Sequence, residues 1–226
     1  MKTRALSHHD KQAKRSLILD AARALFLLND RQLPSVISIA QQAGLAKGTV
    51  YLYFQTKEEI FLSLLEQEFH GLLQTLREQL VAVADGMADA DLSADLRAAL
   101  AGQLIAGILA YLDAHPVFLR LDAMTYSVLE QNLSEAFLRD FKIGLTLALN
   151  NTGSALDKAL RLPAGRGTSL LLRSHALIRG LWQSLDYPEH LRKLLEAPEF
   201  AAIRPDFRTE LQQALDEYWR GALALV

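Results

Sequence analysis

Apolar residues recur every three or four positions along almost the whole chain, and the strict alternation of a half-buried strand is nearly absent. From Lys14 to Asn29, the residues Ile18, Ala21, Ala22, Leu25 and Phe26 mark one face of a first helix, which Asn29-Asp30 ends. Ser35 is a natural N-cap for a short second helix with Val36, Ile39, Ala40 and Ala43 on its apolar face. Gly44 supplies the left-handed residue that closes it. After the turn at Leu45 and Ala46, Lys47–Phe54 can form a third helix of about two turns. Thr56 and Glu59 have the spacing of a capping box, in which the Thr56 hydroxyl takes the Glu59 amide and the Glu59 carboxylate reaches back to Thr56. A long helix follows, with Ile60, Leu64, Phe69, Leu72, Leu73, Leu76, Leu80 and Val83 in period as far as Ala84, and Asp85-Gly86 breaks it.

Beyond that break the same period predicts helices over Ser93–Ala114, Pro116–Gln131, Ser134–Leu162, Thr168–Tyr187 and Pro205–Leu225, with a short one over Glu189–Glu196. Ser93 and Ser134 read as N-caps, Pro116 and Pro205 as first-turn prolines, and Gly165-Arg166-Gly167 and Pro188 as breakers. The run from Asn150 to Ser154 can either kink its helix or split it. The fold class is therefore all-α. A domain boundary is expected near Leu62, with residues 1–13 a basic flexible arm, 14–62 a head and 63–226 a helical body that shares the long helix.

Charge changes the picture more than composition does. The chain of 226 residues carries a net charge of −2, yet residues 1–57 hold nine Lys or Arg against three Asp, a sum of +6, which leaves −8 for the rest. A basic head on an acidic body points to a polyanionic partner. Cysteine is absent, which excludes disulfides and thiolate chemistry and fits a reducing compartment. No leader is evident, and the apolar windows, such as Leu104–Leu112, are short against the roughly 20 residues of a membrane span, so a cytoplasmic protein with no membrane partner is expected. No phosphate-binding loop, zinc-protease or nucleophile-elbow motif occurs, so no catalytic residue, metal site or cofactor is expected.

Two short helices joined through Gly44, the second one basic, make a helix-turn-helix. In Lys47–Phe54, Val50 and Phe54 are four apart and pack the helix down, which leaves Lys47, Thr49, Tyr51 and Tyr53 to face outward or sideways. Gly48 removes a side chain where backbone would approach a phosphate, and Lys57 adds charge beside the free amides of the next helix. The tyrosines offer hydroxyls and rings to phosphate or sugar, and Thr49 can reach a base edge or a phosphate. From Ile39 to Ile60 the chain reads IAQQAGLAKGTVYLYFQTKEEI. This run, within residues Lys14–Leu65, resembles the DNA-binding domain of TetR-family transcriptional regulators. The resemblance implies a three-helix head for double-stranded operator DNA on a helical body that binds ligand and dimerises. By position it makes Lys47, Gly48, Thr49, Tyr51 and Tyr53 interface residues of the recognition helix. It makes Lys57 a backbone contact and Ser35 a phosphate contact. Ala46 departs from the family, which often has Ser or Thr there. Ile37 stands at a position that is usually polar, where it can touch a thymine methyl or pack on the first helix.

The body suggests a sensor. Large apolar faces between Leu104 and Phe141 carry sparse polar groups, and an effector that is small and apolar or amphipathic would be oriented by such points. Tyr111, Phe118, Met124, Tyr126, Glu130, His175, Arg179 and Trp182 are the candidate ligand residues, each with an ordinary packing role as its alternative. The helices near 168–187 and 205–225 carry the small residues Gly180, Ser184, Ala214 and Ala222 and are expected to pair two chains as a homodimer. Repression of a palindromic operator, relieved by ligand, is the function that the resemblance implies. Activation, DNA binding without a ligand, and a helical adaptor for proteins are the alternatives. The basic arm could reach a minor groove or stay disordered.

Overall fold

In the computed structural model of the chain, which describes residues 8–28, 32–86 and 93–224, every regular element among those residues is helical. Ten α-helices are described: α1 (His8–Leu28), α2 (Val36–Gln42), α3 (Lys47–Tyr51), α4 (Lys57–Gly86), α5 (Ala94–Ala114), α6 (Val117–Ala123), α7 (Glu135–Leu160), α8 (Arg166–Leu185), α9 (Glu189–Leu194) and α10 (Phe207–Leu223). A π-helical turn, Thr125–Leu129, follows α6, and a 3-10 turn, Pro198–Ile203, precedes α10. The chain divides into two compact units, Met1–Glu68 with Pro116–Ile143, and Phe69–His115 with Gly144–Val226. Both α4 and α7 begin in the first unit and end in the second.

Several local signals operate as the sequence predicts. Ser35, Ser93 and Ser134 accept from the amides of Ser38, Leu96 and Phe137, each three residues on. Other boundaries differ. The first helix begins at His8, so residues 8–13, expected in the flexible arm, are helical. Asp10 in the first turn complements the helix dipole, and Lys11, Gln12 and Ala13 are good helix formers. The rest of the arm, and the expected stop at Asn29-Asp30, lie outside the described residues. The helix expected over Pro116–Gln131 changes geometry after Ala123. Leu129 N and Glu130 N reach back five residues, to Met124 O at 3.1 Å and Thr125 O at 2.9 Å. The last helix is capped by Asp206, one residue after the proline expected to start it.

The run Asn150–Ser154 neither kinks nor splits α7, which is continuous to Leu160. Its glycine has another use. A Cβ on Gly153 would stand 2.5 Å from Thr168 N, and a Cβ on Gly167 would strike the Gly153 carbonyl oxygen. Two glycines therefore let α7 and the start of α8 approach backbone to backbone. Asp157 completes the corner by accepting from Gly165 N at 2.7 Å and from Gly167 N. At the end of α7, Arg161 takes a positive φ of 51° while Leu162 N donates to Asp157 O at 2.8 Å, a Schellman closure without its usual glycine.

In the first unit, α1 packs on α2 and α6, and α2 packs on α3. That packing explains why Pro116–Ile143, expected in the body, groups with the amino-terminal residues. Ile18, Ala22 and Phe26 meet Ile39, Val50, Phe54 and Phe61 in a core that excludes water, with the Phe26 and Phe61 rings 5.5 Å apart. In the second unit, α10 lies against α5 and α8, and buried Trp219 donates from Nε1 to Ser174 Oγ at 2.9 Å. Contrary to the expectation from short apolar windows, α5 is long and apolar enough to cross a membrane by length and composition alone. Here Leu100, Leu104, Ile105, Ile108 and Leu112 are buried within the protein.

Candidate nucleic-acid interface

The recognition element is built by two turns of different chemistry. Gly44, at φ 66°, lets Leu45 N donate to Ala40 O at 2.9 Å and Gly44 N to Gln41 O at 3.1 Å. This is a full Schellman closure of α2, and a β-carbon at Gly44 would be strained in that left-handed backbone. Ala46 then takes the extended N-cap conformation of α3, φ −69° and ψ 144°, with no side-chain cap. The helix is shorter than expected. It ends at Tyr51, and the chain reaches Phe54 through a turn in which Tyr53 N and Phe54 N both donate to Val50 O at 3.0 Å.

Val50 and Phe54 are buried, as their spacing predicts, and hold the element to the head. Burial of side chains of this size contributes about 1.5–3 kcal/mol each. Arg15 of α1 completes the anchor. Its guanidinium lies 5.1 Å from the Phe54 ring centroid and its Nη2 donates to Ser63 Oγ of α4 at 2.9 Å. No local pattern in the sequence singles out Arg15, because its partners are far along the chain. Arg23 of α1 likewise donates to the buried carboxylate of Glu68 at 2.9 Å.

Opposite this anchor, Lys47, Gly48 and Tyr51 are exposed, and Thr49, Tyr53 and Lys57 are half-buried. The Lys47 ammonium stands 5.8 Å from the Tyr51 ring centroid, so charge and ring share one face of α3. Nothing stands within 4 Å of where a Cβ on Gly48 would be. Ser35 is exposed, and its oxygen both accepts from Ser38 N at 3.1 Å and lies 2.9 Å from Ser38 Oγ. Leu52 is 78% exposed and Ile37 51% exposed. Ile37 therefore keeps open the contact with a thymine methyl. Leu52 was not singled out by sequence, although it lies two residues from both buried anchors and so on the outer side of the turn.

Thr56 Oγ1 accepts from Glu59 N at 3.2 Å, the first half of the expected capping box. The second half is corrected: the Glu59 carboxylate accepts from Gln55 N at 2.6 Å rather than from Thr56 N. The turn after α3 brings the Gln55 amide to the mouth of α4, so one carboxylate ties the recognition element to the helix that follows.

The eight candidate effector residues are divided between the units. In the first, Phe118 is buried, Met124 half-buried and Tyr126 62% exposed. Lys142 joins Glu130, at 2.5 Å, to the Tyr126 ring, 5.5 Å away. In the second, Tyr111 stacks on His115 with centroids 3.9 Å apart, and its hydroxyl fills the space beside Gly71. His175 meets Phe69 edge-on at 5.2 Å, so Tyr111 and His175 reach the same turn of α4. Trp182 packs edge-on against Phe207 at 5.2 Å, and Arg179 is half-buried on α8.

Residues 18–64 match the family described as bacterial regulatory proteins, tetR family, and residues 71–225 match the tetracyclin repressor-like, C-terminal domain. The Fatty acid metabolism regulator protein of Bacillus subtilis is 37% identical over 70 residues, which is 31% of this chain and 36% of that protein. The uncharacterized HTH-type transcriptional regulator YfiR of the same organism is 34% identical over 71 residues, 31% of this chain and 32% of its own length. The chain thus spans about a third of the length of the curated relatives it matches. A structure from Mesorhizobium loti MAFF303099 assigned to this family superposes with a TM-score of 0.55 at 17% identity, covering 99% of this chain and 98% of that one. FadR of Bacillus subtilis in complex with stearoyl-CoA superposes with a TM-score of 0.53 at 18% identity, covering 92% and 98%. These structures share the fold with this chain. With family matches over the helix-turn-helix head and over most of the remaining residues, the chain belongs to the TetR family of DNA-binding transcriptional regulators.

Proposed function

We propose that the protein is a repressor that binds a palindromic operator as a homodimer and is released by a small apolar or amphipathic effector. The observation that carries the reading is the division of α3 and its following turn into a buried side, Val50 and Phe54, and an outer side that offers Lys47, Gly48, Thr49, Tyr51 and Leu52. A helix held from behind in this way can lay its outer face in a major groove. Lys47, Gly48, Tyr51 and Tyr53 meet the backbone or groove wall, Thr49 meets a base edge, and Ser35 and Lys57 meet phosphates on either side. Ser35 can do this with its hydroxyl proton, because its oxygen already caps α2.

Dimerisation through α8 and α10 is supported by an exposed strip on α8. Leu172, Ala176, Gly180 and Ser184 repeat every fourth residue, and nothing stands within 4 Å of where a Cβ on Gly180 would be. Two chains can approach closely there, and a two-fold axis would present two recognition helices to half-sites about one helical turn apart. Release follows if the effector binds better to a dimer whose heads miss that spacing. Helix α4 is the lever, since Lys57 at its first residue faces DNA and its other end belongs to the second unit. An effector with an apolar portion accords with the relatives, one named for fatty acid metabolism and one solved with stearoyl-CoA. A chromosomal target makes the cytoplasm the site of action.

Footprinting on the DNA upstream of the protein's own gene tests the reading. A protected palindrome is expected, with affinity that falls steeply as salt rises because phosphate contacts release counterions. Binding indifferent to salt, or a protected site without two-fold symmetry, would overturn it.

A further inference from the structure

The recognition helix α3 has five residues and no side-chain cap, so its own backbone bonds are too few to hold it in place. Val50 is buried at its middle. Beyond Tyr51, two ties reach the turn that ends at Gln55, and both run to one face of α4, where Glu59 and Ser63 are four residues apart. Glu59 accepts from Gln55 N at 2.6 Å. Ser63 Oγ accepts from Arg15 Nη2 of α1 at 2.9 Å, and the same guanidinium lies 5.1 Å from the Phe54 ring centroid. Phe54 and Gln55 are neighbours in the chain, so these contacts close a ring that runs from Phe54 through Gln55, Glu59, Ser63 and Arg15 back to Phe54. Every member belongs to the first unit. Arg15 joins α1, α4 and the recognition turn at one point, because a guanidinium can give its flat face to an aromatic ring and its edge to an acceptor. Its charge is turned inward, since Phe54 and Ser63 are each 1% exposed.

We propose that Arg15 is a positioning residue for operator recognition: it fixes the end of the recognition element against α4, and it acts through Phe54 and Ser63 rather than on DNA itself. The consequence differs from that of a phosphate contact. A phosphate contact strengthens binding to every sequence and releases counterions. A positioning group matters where side chains must meet base edges in register, so its loss lowers specific affinity and spares non-specific affinity. The proposal rests on operator binding by the head, and hydrogen exchange judges it without DNA.

Two measurements on the full chain test it. Hydrogen exchange is followed at the bonded amides of Tyr53, Phe54 and Gln55. Binding is titrated against the footprinted operator and against a duplex of unrelated sequence, each over a range of salt. Arg15→Met keeps an apolar stem and removes the charge. It should speed exchange at those amides about tenfold, the equivalent of a hydrogen bond to a charged group. It should weaken operator binding about tenfold, leave the unrelated duplex within about twofold and keep the salt slope. Ser63→Ala, which takes one oxygen from the core, should act in the same direction, and it carries the same comparisons if Arg15→Met loses the folded head. The double variant should bind no more weakly than Arg15→Met, because the bond to Ser63 is already gone. A salt slope shallower by about one counterion would mean a direct phosphate contact and would overturn the proposal. Equal losses on both duplexes, additive losses in the double variant, or unchanged exchange would each do the same. Absence of a protected operator counts against repression of a palindrome, and exchange at the turn amides still decides whether Arg15 holds the recognition element.

Discussion

Ala46→Ser probes whether the recognition helix lacks only a side-chain cap. The backbone at Ala46, φ −69° and ψ 144°, is nearly that of Ser35, φ −73° and ψ 152°, whose hydroxyl caps α2 in the same head. A serine at 46 therefore needs no backbone movement to reproduce the bond that Ser35 makes to Ser38 N at 3.1 Å. Ala46 is exposed, so the hydroxyl meets no wall. The Thr49 amide already donates to Ala46 O at 2.8 Å, while no backbone partner is evident for the Gly48 amide. A serine hydroxyl can take either. An N-cap of this kind stabilises by about 0.5–2 kcal/mol, with ~1 typical. Because α3 has five residues, most of that gain should appear locally. Hydrogen exchange at the amides of Gly48 to Tyr51 should slow about fivefold, the factor equivalent to ~1 kcal/mol. If the head unfolds with the rest of the chain, the melting midpoint should rise by roughly 2–4 °C. Unchanged exchange in a variant whose α3 is intact would refute the reasoning. It would mean that packing of Val50 and Phe54 alone sets the stability of this helix.

Four further outcomes follow from the geometry. Lys57→Ala should weaken all DNA sites alike and flatten the salt dependence by about one counterion, whereas Thr49→Ala should alter preference among operator variants, both read by titration against a site library. Gly153→Ala should cost about 1–3 kcal/mol in denaturant melts, since the new methyl meets the backbone at Thr168 rather than a side chain that can turn away. Arg161→Gly should raise stability by about 1 kcal/mol in the same assay, because it relieves a left-handed residue that carries a β-carbon. Asp206→Ala should destabilise α10 at neutral pH. The Thr209 hydroxyl and amide bonded to Asp206, at 2.7 Å and 2.9 Å, hold its carboxyl below the usual 3.8. That stabilisation is present above 3.8 and is lost as the pH falls through the lowered value, so wild type and variant should converge on acidification.

Much of this protein follows from signals that act over a few residues. The helical period, the hydroxyl caps at Ser35, Ser93 and Ser134, the left-handed glycine at Gly44 and the four-residue spacing of Val50 and Phe54 are properties of local backbone and side chain. They determined the all-α class, the helix-turn-helix and the face that packs inward before any tertiary contact is considered. The tertiary structure decided what depends on distant partners. The Arg15 anchor joins residues 48 apart in sequence, and the bond from Trp219 to Ser174 joins residues 45 apart. Gly153 reads locally as a weak point in a helix, and only the arrival of α8 turns it into a point of close approach. Glu59 can reach either of two amides, and the turn after α3 selects Gln55. The effector candidates share a setting on apolar helix faces in the sequence, yet packing gives Tyr111, His175 and Trp182 ring partners. Local energetics set which element forms and where it is capped, whereas close approach and burial depend on which surfaces long-range packing brings together.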